Sequence, residues 1–290
     1  MKIAFIGLGN MGAPMAVNLA EAGYDVVGVD PVTAPEGLTM AASAALACKE
    51  ADVAITMLPN GAILRSVAEG VIPVLPKGAV FIDCSTVDVD SARAVAEQAK
   101  AAGLGMLDAP VSGGIKGAAE GALTFMIGGD TDAVEKTKAL FDIMGQKVVH
   151  CGAAGAGQAA KICNNMILGI TMLGTCEAFA MADKLGLDRQ SMFNVVSTSS
   201  GYSWTMNAYC PAPGVGPMSP ADNGYKPGFA AELMLKDLGL SQDAARACDA
   251  DTPMGRLAND LYAKFVAERG QGVDFSGILP WLSDRGNSDA

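Results

Sequence analysis

The first thirty residues carry a glycine-rich hexapeptide between a short apolar run and an amphipathic stretch. Residues 2–6 predict a strand, Met11 to Ala22 a helix, and Val26 to Val29 a second strand that ends at Asp30. The turn from strand to helix reads G-x-G-x-x-G and consists of Gly7, Leu8, Gly9, Asn10, Met11 and Gly12. A strand–helix–strand unit with this turn requires the chain to begin as an α/β domain with parallel strands.

Each glycine of this turn has a role in binding a dinucleotide. Gly7 permits the tight turn, Gly9 lets the backbone approach a pyrophosphate, and Gly12 lets the helix pack on the strand. Asp30 stands where an acid hydrogen-bonds a ribose 2′-hydroxyl and repels a 2′-phosphate. No basic residue follows it before Lys49, so the sequence favours NAD over NADP. The alternative is a glycine-rich turn with an incidental surface aspartate.

The alternation of strands and helices continues to about residue 152 and then stops. Further strands are predicted at 53–57, 80–83, 104–107, 123–127 and 147–150, with helices at 61–70, 88–102 and 132–144. This order predicts an α/β fold, a Rossmann-type doubly wound sheet that is parallel and has helices on both faces. An all-α domain follows, with helices at 157–185, 188–198, 230–249, 253–269 and 275–282. We therefore predict an NAD-binding domain over 1–152, a helical domain over 153–282 and a flexible tail over 283–290.

Charge and cysteine usage exclude several classes of function. With 20 Lys and Arg against 31 Asp and Glu, the net charge of −11 disfavours nucleic acids and anionic membrane surfaces as partners. Charged residues are only 18% of the chain, which indicates that many residues are withdrawn from solvent. Either a large core or assembly into a homo-oligomer, a dimer or tetramer, would account for this. The seven cysteines lack zinc spacing and predict free thiols in a reducing, cytoplasmic setting and no metal site. We expect no targeting peptide and no membrane span, since the longest apolar stretch, Met166 to Cys176, is short.

Residues after other predicted strands are candidates for lining the dinucleotide crevice. Leu58 and Pro59 follow one strand, and Ser85 and Thr86 follow another. Ligands of doubly wound sheets bind outside the carboxyl ends of the strands, so these residues are expected at the crevice. Thr86 is equally compatible with a role as N-cap of the next helix. The single histidine, His150, ends a strand and is interpreted as a packing residue.

Lys161 is the strongest candidate for a catalytic base. It lies near the start of the long apolar helix, with Asn165 one turn later on the same face. Apolar neighbours can lower the pKa of a lysine by desolvation, which suits proton transfer near neutral pH. The alternative is a lysine whose stem packs at the helix start while its ammonium group reaches solvent.

Two further segments carry weaker signals. Ser112, Gly113 and Gly114 offer a hydroxyl and backbone amides that suit a small carboxylate, or they form an ordinary glycine-rich loop. Lys236 and Asp237 lie in a predicted helix, and alone they predict no more than a surface ion pair.

Four segments in order resemble the β-hydroxyacid dehydrogenase family. They are GLGNMG at 7–12, DAPVSGG at 108–114, G-x-G-x-x-x-K-x-x-x-N at 155–165 and KDL at 236–238, and together they cover the chain except its tail. The resemblance implies a Rossmann domain, a helical second domain and a cleft between them. It also implies that Lys161 is the catalytic lysine and that Lys236 closes over cofactor and substrate. By the same resemblance Asn165, Ser112, Gly113 and Gly114 bind a small hydroxy acid.

A loop in the second half resembles one branch of that family. Residues 209–214 (YCPAPG), 223–225 (NGY) and 228–229 (GF) are similar to the branch that acts on 3-hydroxyisobutyrate. This similarity implies NAD-dependent oxidation of 3-hydroxyisobutyrate to methylmalonate semialdehyde, as in valine catabolism. The alternatives are a reductase of tartronate or succinic semialdehyde, and a non-catalytic dinucleotide-binding module that would be expected to lose Lys161. Ile63 departs from the family, whose members often have a polar residue there.

Overall fold

The computed structural model describes residues 1–285 and divides into two compact units between Lys161 and Ile162. The division falls later than the sequence-based boundary at residue 152. The predicted tail starts at residue 283, whereas the last helix, Ile278–Arg285, already includes its first three residues. The rest of that tail, 286–290, lies outside the described residues.

Nine strands form one sheet in the first unit. They are β1 Lys2–Ile6, β2 Asp25–Val29, β3 Thr39–Met40, β4 Val53–Thr56, β5 Val80–Asp83, β6 Gly105–Asp108, β7 Val111–Ser112, β8 Leu123–Gly129 and β9 Gly145–Gly152. Their order is β3-β2-β1-β4-β5-β6-β8-β7, and β9 also pairs with β8. The order 3-2-1-4-5-6 at its start is that of a Rossmann sheet, which confirms the predicted fold class.

The prediction of an entirely parallel sheet is wrong at one end. The pairs from β3 through β6 are parallel, but β8 runs antiparallel to both β6 and β7. After β6 the chain forms β7 at once and then turns through a six-residue helix, Gly114–Ala119. This short connection replaces a full crossover helix, so β8 returns in the opposite direction.

Helices cover both faces of the sheet. They are α1 Gly12–Glu21, α2 Ala44–Cys48, α3 Gly61–Val71, α4 Val89–Ala101, α5 Gly114–Ala119, α6 Thr131–Met144 and the first residues of α7 Ala156–Lys184. Side chains alternate along β1, so Ile3 and Phe5 pack in the core cluster that includes residues of α1 and α6. Ala4 and Ile6 belong to the opposite cluster, with residues of α3 and α4. Burial on both faces explains why β1 is a continuous apolar run.

The second unit is helical, as predicted. It contains the rest of α7, then α8 Arg189–Val196, α9 Trp204–Asn207, α10 Ala231–Ala247, α11 Pro253–Phe265 and α12 Ile278–Arg285. From Ile162 to Arg285 the β-structure consists of one isolated bridge, between Ala230 and Asp274. The core of this unit includes the fully buried side chains of Phe179 and Tyr262.

Helix α7 is much longer than the apolar stretch recognised in the sequence. It has 29 residues, and its most apolar window has a mean hydropathy of 1.3. By length and composition alone it is, among residues 1–285, the one helix that meets the requirements for crossing a membrane. Buried helices of soluble proteins meet the same requirements, and 44% of this window is buried.

The long loop predicted from Cys210 to Gly228 is fixed by one buried carboxylate. Asp274, which is 0% exposed, accepts hydrogen bonds on Oδ2 from the Tyr209 hydroxyl at 2.8 Å and from the amides of Gly228 at 2.9 Å and Phe229 at 3.0 Å. Within the loop, residues 220–223 form a 3₁₀ turn. The two ends of the loop are therefore held at the same point, although it has little regular structure.

Candidate functional site

The glycine-rich turn between β1 and α1 has no room for a side chain at two of its glycines. Gly7 has a φ of 93°, and a Cβ there would lie 2.3 Å from the Met57 carbonyl oxygen. A Cβ on Gly12 would lie 1.9 Å from the carbonyl oxygen of Gly7. By contrast, a Cβ on Gly9 would meet nothing within 4 Å. The turn is closely packed on the protein side and open at Gly9, which fits the approach of a pyrophosphate.

Asp30 ties the glycine-rich turn to the end of β2. Its Oδ2 accepts a hydrogen bond from the Leu8 amide, and its Oδ1 accepts from the amides of Val32 and Thr33, each at 2.8 Å. Partial burial acts to raise the pKa of Asp30, but these three amides outweigh it and leave the pKa below its usual value. The carboxylate is therefore ionised at neutral pH, and the lone pair that remains on Oδ2 suits a hydroxyl of a ribose.

The turns after β4 and β5 are linked to one another. The Leu58 amide donates to Ser85 Oγ at 2.7 Å, and that hydroxyl donates to Asp83 Oδ1 at 2.5 Å. Thr56 Oγ1 donates to the same carboxylate oxygen at 2.8 Å. Burial raises the pKa of Asp83 to about 6, although the bonds from Ser85 and Thr56 oppose the shift. Hydrogen bonds thus connect the turns that follow four neighbouring strands, β2, β1, β4 and β5, along one edge of the sheet. Pro59 follows Leu58 in one of these turns.

Thr86 follows Ser85 on this edge and is half-buried. The alternative that Thr86 caps the next helix is wrong. The N-cap of α4 is Asp88, whose side chain accepts from the Ser91 amide at 2.7 Å. Thr86 lies two residues before that cap, at the position expected of a crevice residue.

Asp108, at the end of β6, caps the first turn of α7. Its Oδ1 accepts from the Gly155 amide at 2.7 Å, and its Oδ2 accepts from the Gln158 amide at 2.9 Å. Burial raises the pKa of Asp108, and the bonds from these amides act in the other direction. The carboxylate sits at a helix N-terminus, where the helix dipole also favours a negative charge. This contact fixes the start of the helix that carries Lys161.

Lys161 is only 7% exposed. The alternative of a lysine that reaches out to solvent is therefore wrong. Asn165, one helical turn further along α7, is 2% exposed. A buried lysine with a buried amide on the same helix face is a suitable pair for handling a hydroxyl group, the lysine for its proton and the amide for its orientation.

In the second unit, Asp237 of α10 joins two predicted site residues. Asn165 Nδ2 donates to Asp237 Oδ2 at 2.5 Å, and Asn164 Nδ2 donates to Asn165 Oδ1 at 2.9 Å. Lys236 Nζ lies 3.7 Å from Asp237 Oδ1, and the Asp237 side chain is 5% exposed. The interpretation of Lys236 and Asp237 as a simple surface pair is wrong, because the acid is buried and orients Asn165.

The loop of Ser112, Gly113 and Gly114 begins where β7 ends. Gly113 has a φ of 138° and Gly114 a φ of 63°, and both values favour glycine. Ser112 and Gly114 are half-buried and Gly113 is exposed. The loop therefore presents a hydroxyl and backbone amides near the surface of the first unit.

The remaining sequence candidates occupy simpler settings. Leu8 is buried, Met11 is half-buried and Asn10 is exposed in the glycine-rich turn. His150 is exposed, and its Nε2 lies 2.8 Å from the carbonyl oxygen of Gly129, so the packing role expected from the sequence is wrong.

Three contacts were not predicted from the sequence: the capping of α7 by Asp108, the hydrogen bonds of the buried Gln158 side chain, and the hydrogen bond from Asn165 to Asp237. The only signal for Asp108 and Asp237 was their place inside the family-like segments, and no signal pointed to Gln158.

Two family descriptions together cover nearly the whole chain. Residues 2–152 match the NAD-binding domain of 6-phosphogluconate dehydrogenase. Residues 155–282 match the family described as the NAD-binding domain of NADP-dependent 3-hydroxyisobutyrate dehydrogenase.

Curated relatives match over the full length. A probable 3-hydroxyisobutyrate dehydrogenase of Mycobacterium tuberculosis is 47% identical over 99% of each chain. An NAD-dependent L-serine dehydrogenase of Pseudomonas aeruginosa is 46% identical over 96% of each chain. Among solved structures, a 3-hydroxyisobutyrate dehydrogenase of Mycobacterium tuberculosis with L-serine is 48% identical, has a TM-score of 0.93, and is matched over 97% of this chain and 98% of that one.

Substitution of Gly9 tests the open side of the turn. We expect Gly9→Val to weaken NADH binding at least ~10-fold, because the added methyl groups occupy the approach to the pyrophosphate, while the melting temperature changes little. NADH fluorescence titration and thermal unfolding measure the two effects. Gly70→Val, at an exposed glycine of α3 whose Cβ would also meet nothing within 4 Å, is the matched control. Normal NADH binding by Gly9→Val would contradict the assignment of the pyrophosphate to this turn.

Proposed function

Because the chain belongs to the β-hydroxyacid dehydrogenase family, we propose that it oxidises 3-hydroxyisobutyrate to methylmalonate semialdehyde with NAD. The observation that carries this proposal is full-length identity of 47% to a relative named for that substrate. The buried Lys161 supports it, since a chain that had become a non-catalytic dinucleotide-binding module would be expected to lose this residue. The same chemistry in reverse would make the chain a semialdehyde reductase, and valine catabolism is the setting that the forward reaction fits.

The residues of the glycine-rich turn and Asp30 would hold the dinucleotide, whose nicotinamide C4 accepts the hydride from the carbinol carbon when it is bound. Lys161 takes the proton of the substrate hydroxyl as the C=O bond forms, and returns it when the reaction runs in reverse. Asn165 orients that hydroxyl, because Asp237 and Asn164 already fix its amide and leave one N–H and one lone pair for the substrate.

The substrate carboxylate is assigned to the loop of Ser112, Gly113 and Gly114. We expect Ser112→Ala to raise KM for the hydroxy acid at least ~10-fold, the equivalent of about 1.5 kcal/mol for one hydrogen bond to a charged group. The dissociation constant of NADH should stay within a factor of two, because the loop contacts only the acid. Steady-state kinetics and NADH titration measure both, with the exposed Ser199→Ala as control. Equal losses of NADH and substrate binding would contradict this assignment and indicate that the loop belongs to the dinucleotide site.

L-serine is a second candidate substrate. It has the same three-carbon hydroxy-acid skeleton as 3-hydroxyisobutyrate, with an ammonium group in place of the methyl group. One relative is named for oxidation of L-serine, and one solved relative contains L-serine. Comparison of kcat/KM for the two acids decides between them.

A cytoplasmic location and a homo-oligomer are part of the same proposal. All seven cysteines are free thiols, which suits a reducing compartment. Along α7 and just beyond it, Ile167, Met181 and Leu185 are 59%, 62% and 76% exposed. Spacings of 14 and 4 residues place them on one helix face, an apolar line that a second copy would cover. Light scattering should give a particle of two or four times 29.5 kDa, and a particle of one chain mass would contradict the assembly.

A further inference from the structure

Gln158 lies in the first turn of α7 with its side chain fully buried. Its amide group contacts the backbone on both sides of Thr86. Nε2 donates to the Ser85 carbonyl oxygen at 2.7 Å, and Oε1 accepts from the Val87 amide at 3.1 Å. A single side chain therefore satisfies two backbone groups that flank a residue assigned to the cofactor crevice, and those two residues lie 71 and 73 positions away in sequence.

The backbone of Gln158 is fixed as well. Its amide donates to Asp108 Oδ2, so the same residue is bound to the end of β6 through its main chain and to the segment after β5 through its side chain. Lys161 follows three residues later on the same continuous helix, about 4.5 Å along its axis. All of these residues belong to the first unit.

We propose that Gln158 is a positioning residue for hydride transfer, which holds the helix turn of Lys161 at a fixed distance from the Ser85–Val87 segment. This inference rests on the proposed function, in which Thr86 lines the cofactor crevice and Lys161 takes the hydroxyl proton. Proton and hydride must leave one substrate carbinol together, so the base and the cofactor need a fixed mutual distance. A displacement of about 1 Å at such a site costs roughly 10²-fold in rate.

The chemistry of the position requires one donor and one acceptor on the same planar group. Methionine has nearly the same length as glutamine and makes neither hydrogen bond. Protonated glutamate makes both bonds, whereas ionised glutamate has no donor and would face the Ser85 carbonyl oxygen with a negative charge. Gln158→Met therefore removes both hydrogen bonds at every pH. Gln158→Glu removes them only when the glutamate is ionised.

The first arm of the experiment needs no cofactor. Hydrogen–deuterium exchange of the apo protein should show the Val87 amide exchanging at least ~10-fold faster in Gln158→Met than in the wild type, because its acceptor is lost. With 3-hydroxyisobutyrate and NAD, kcat of this variant should fall at least ~10-fold, while KM and the NADH dissociation constant stay within ~3-fold. Thr137→Val is the matched control, since it removes a buried hydrogen bond of α6, from Thr137 Oγ1 to the Ala133 carbonyl oxygen, away from the crevice.

The second arm uses Gln158→Glu and keeps the test decisive if Gln158→Met does not fold. The ratio of its kcat to that of the wild type should fall as pH rises from 6 to 9, as the glutamate loses its proton. Asp83 and Asp108, the carboxyl groups in contact with Ser85 and with the Gln158 amide, are present in both proteins, so the introduced glutamate is the one titratable group that differs.

The outcomes separate this inference from the proposed function. A normal kcat in Gln158→Met, a loss no larger than that of Thr137→Val, or a ratio for Gln158→Glu that is flat with pH would overturn the positioning role while wild-type turnover upholds the function. A wild-type protein that oxidises neither 3-hydroxyisobutyrate nor L-serine would overturn the function itself. The exchange rate of the Val87 amide in Gln158→Met and in the wild type would still report whether Gln158 accepts a hydrogen bond from this amide.

Discussion

Replacing Lys161 with alanine is expected to lower kcat for oxidation of 3-hydroxyisobutyrate by roughly 10²–10⁴-fold, the usual contribution of a general base. In free energy this is about 3–5 kcal/mol of transition-state stabilisation. The substrate hydroxyl must lose its proton as hydride leaves the carbinol carbon, and a neutral amine can accept that proton whereas an ammonium group cannot. The rate of oxidation by the wild type should therefore rise with pH until the Lys161 amine is neutral.

Lys161→Arg separates proton transfer from charge. Guanidinium stays protonated at accessible pH, so this variant should fail nearly as badly as Lys161→Ala. NADH binding and the melting temperature should change little in either variant, and Lys184→Ala, at the other end of α7, should keep full activity. Near-normal kcat in Lys161→Arg with an unchanged pH profile would contradict proton transfer by Lys161. Its role would then be to bind the substrate carboxylate through its positive charge.

Removing the Asp30 carboxylate and adding a base beside it is expected to shift cofactor preference by about 10–150-fold, the equivalent of 1.5–3 kcal/mol for hydrogen bonds to a charged group. The double variant Asp30→Asn with Pro31→Arg removes the charge that would repel a 2′-phosphate and supplies a cation for it. Asparagine can still accept on one oxygen from the Val32 and Thr33 amides, so the end of β2 should keep its conformation. Its Nδ2 cannot accept from the Leu8 amide, and this loss affects NAD and NADP alike, so it does not change their ratio. The measured quantity is the ratio of kcat/KM with NAD to kcat/KM with NADP.

Asp25→Asn is the control for the loss of the carboxylate, because it removes one negative charge at the exposed start of β2 without adding a cation. The ratio should be unaffected by the control. A wild-type enzyme that uses NADP as well as NAD would contradict the role of Asp30, and the description of residues 155–282 by an NADP-dependent family makes this comparison informative.

Much of the fold could be predicted because its larger elements have strong periodicity. The apolar run of β1 and the amphipathic α1 lie within one residue of their predicted ends. The two-residue strands β3 and β7 and the short helices α2, α5 and α9 were missed, since so few residues show no clear period. The antiparallel direction of β8 was also missed, because direction depends on the connection and leaves no mark on the strand's own residues.

The candidate site divides in the same way. Residues with a local signature, such as the glycine-rich turn and Lys161, could be found from spacing and residue type. Gln158 and Asp237 could not, because their partners lie 71–73 and 72 positions away in sequence. Burial decided two alternatives that the sequence left open, since Lys161 and Asp237 are both withdrawn from solvent.

The most direct test of the central claim is the steady-state oxidation of 3-hydroxyisobutyrate by the wild-type protein, with NAD and NADP measured side by side and L-serine as the competing substrate. We expect saturable formation of NADH, with a higher kcat/KM for NAD than for NADP and for 3-hydroxyisobutyrate than for L-serine. No NADH formed from 3-hydroxyisobutyrate, or an equal or higher kcat/KM with NADP, would contradict it.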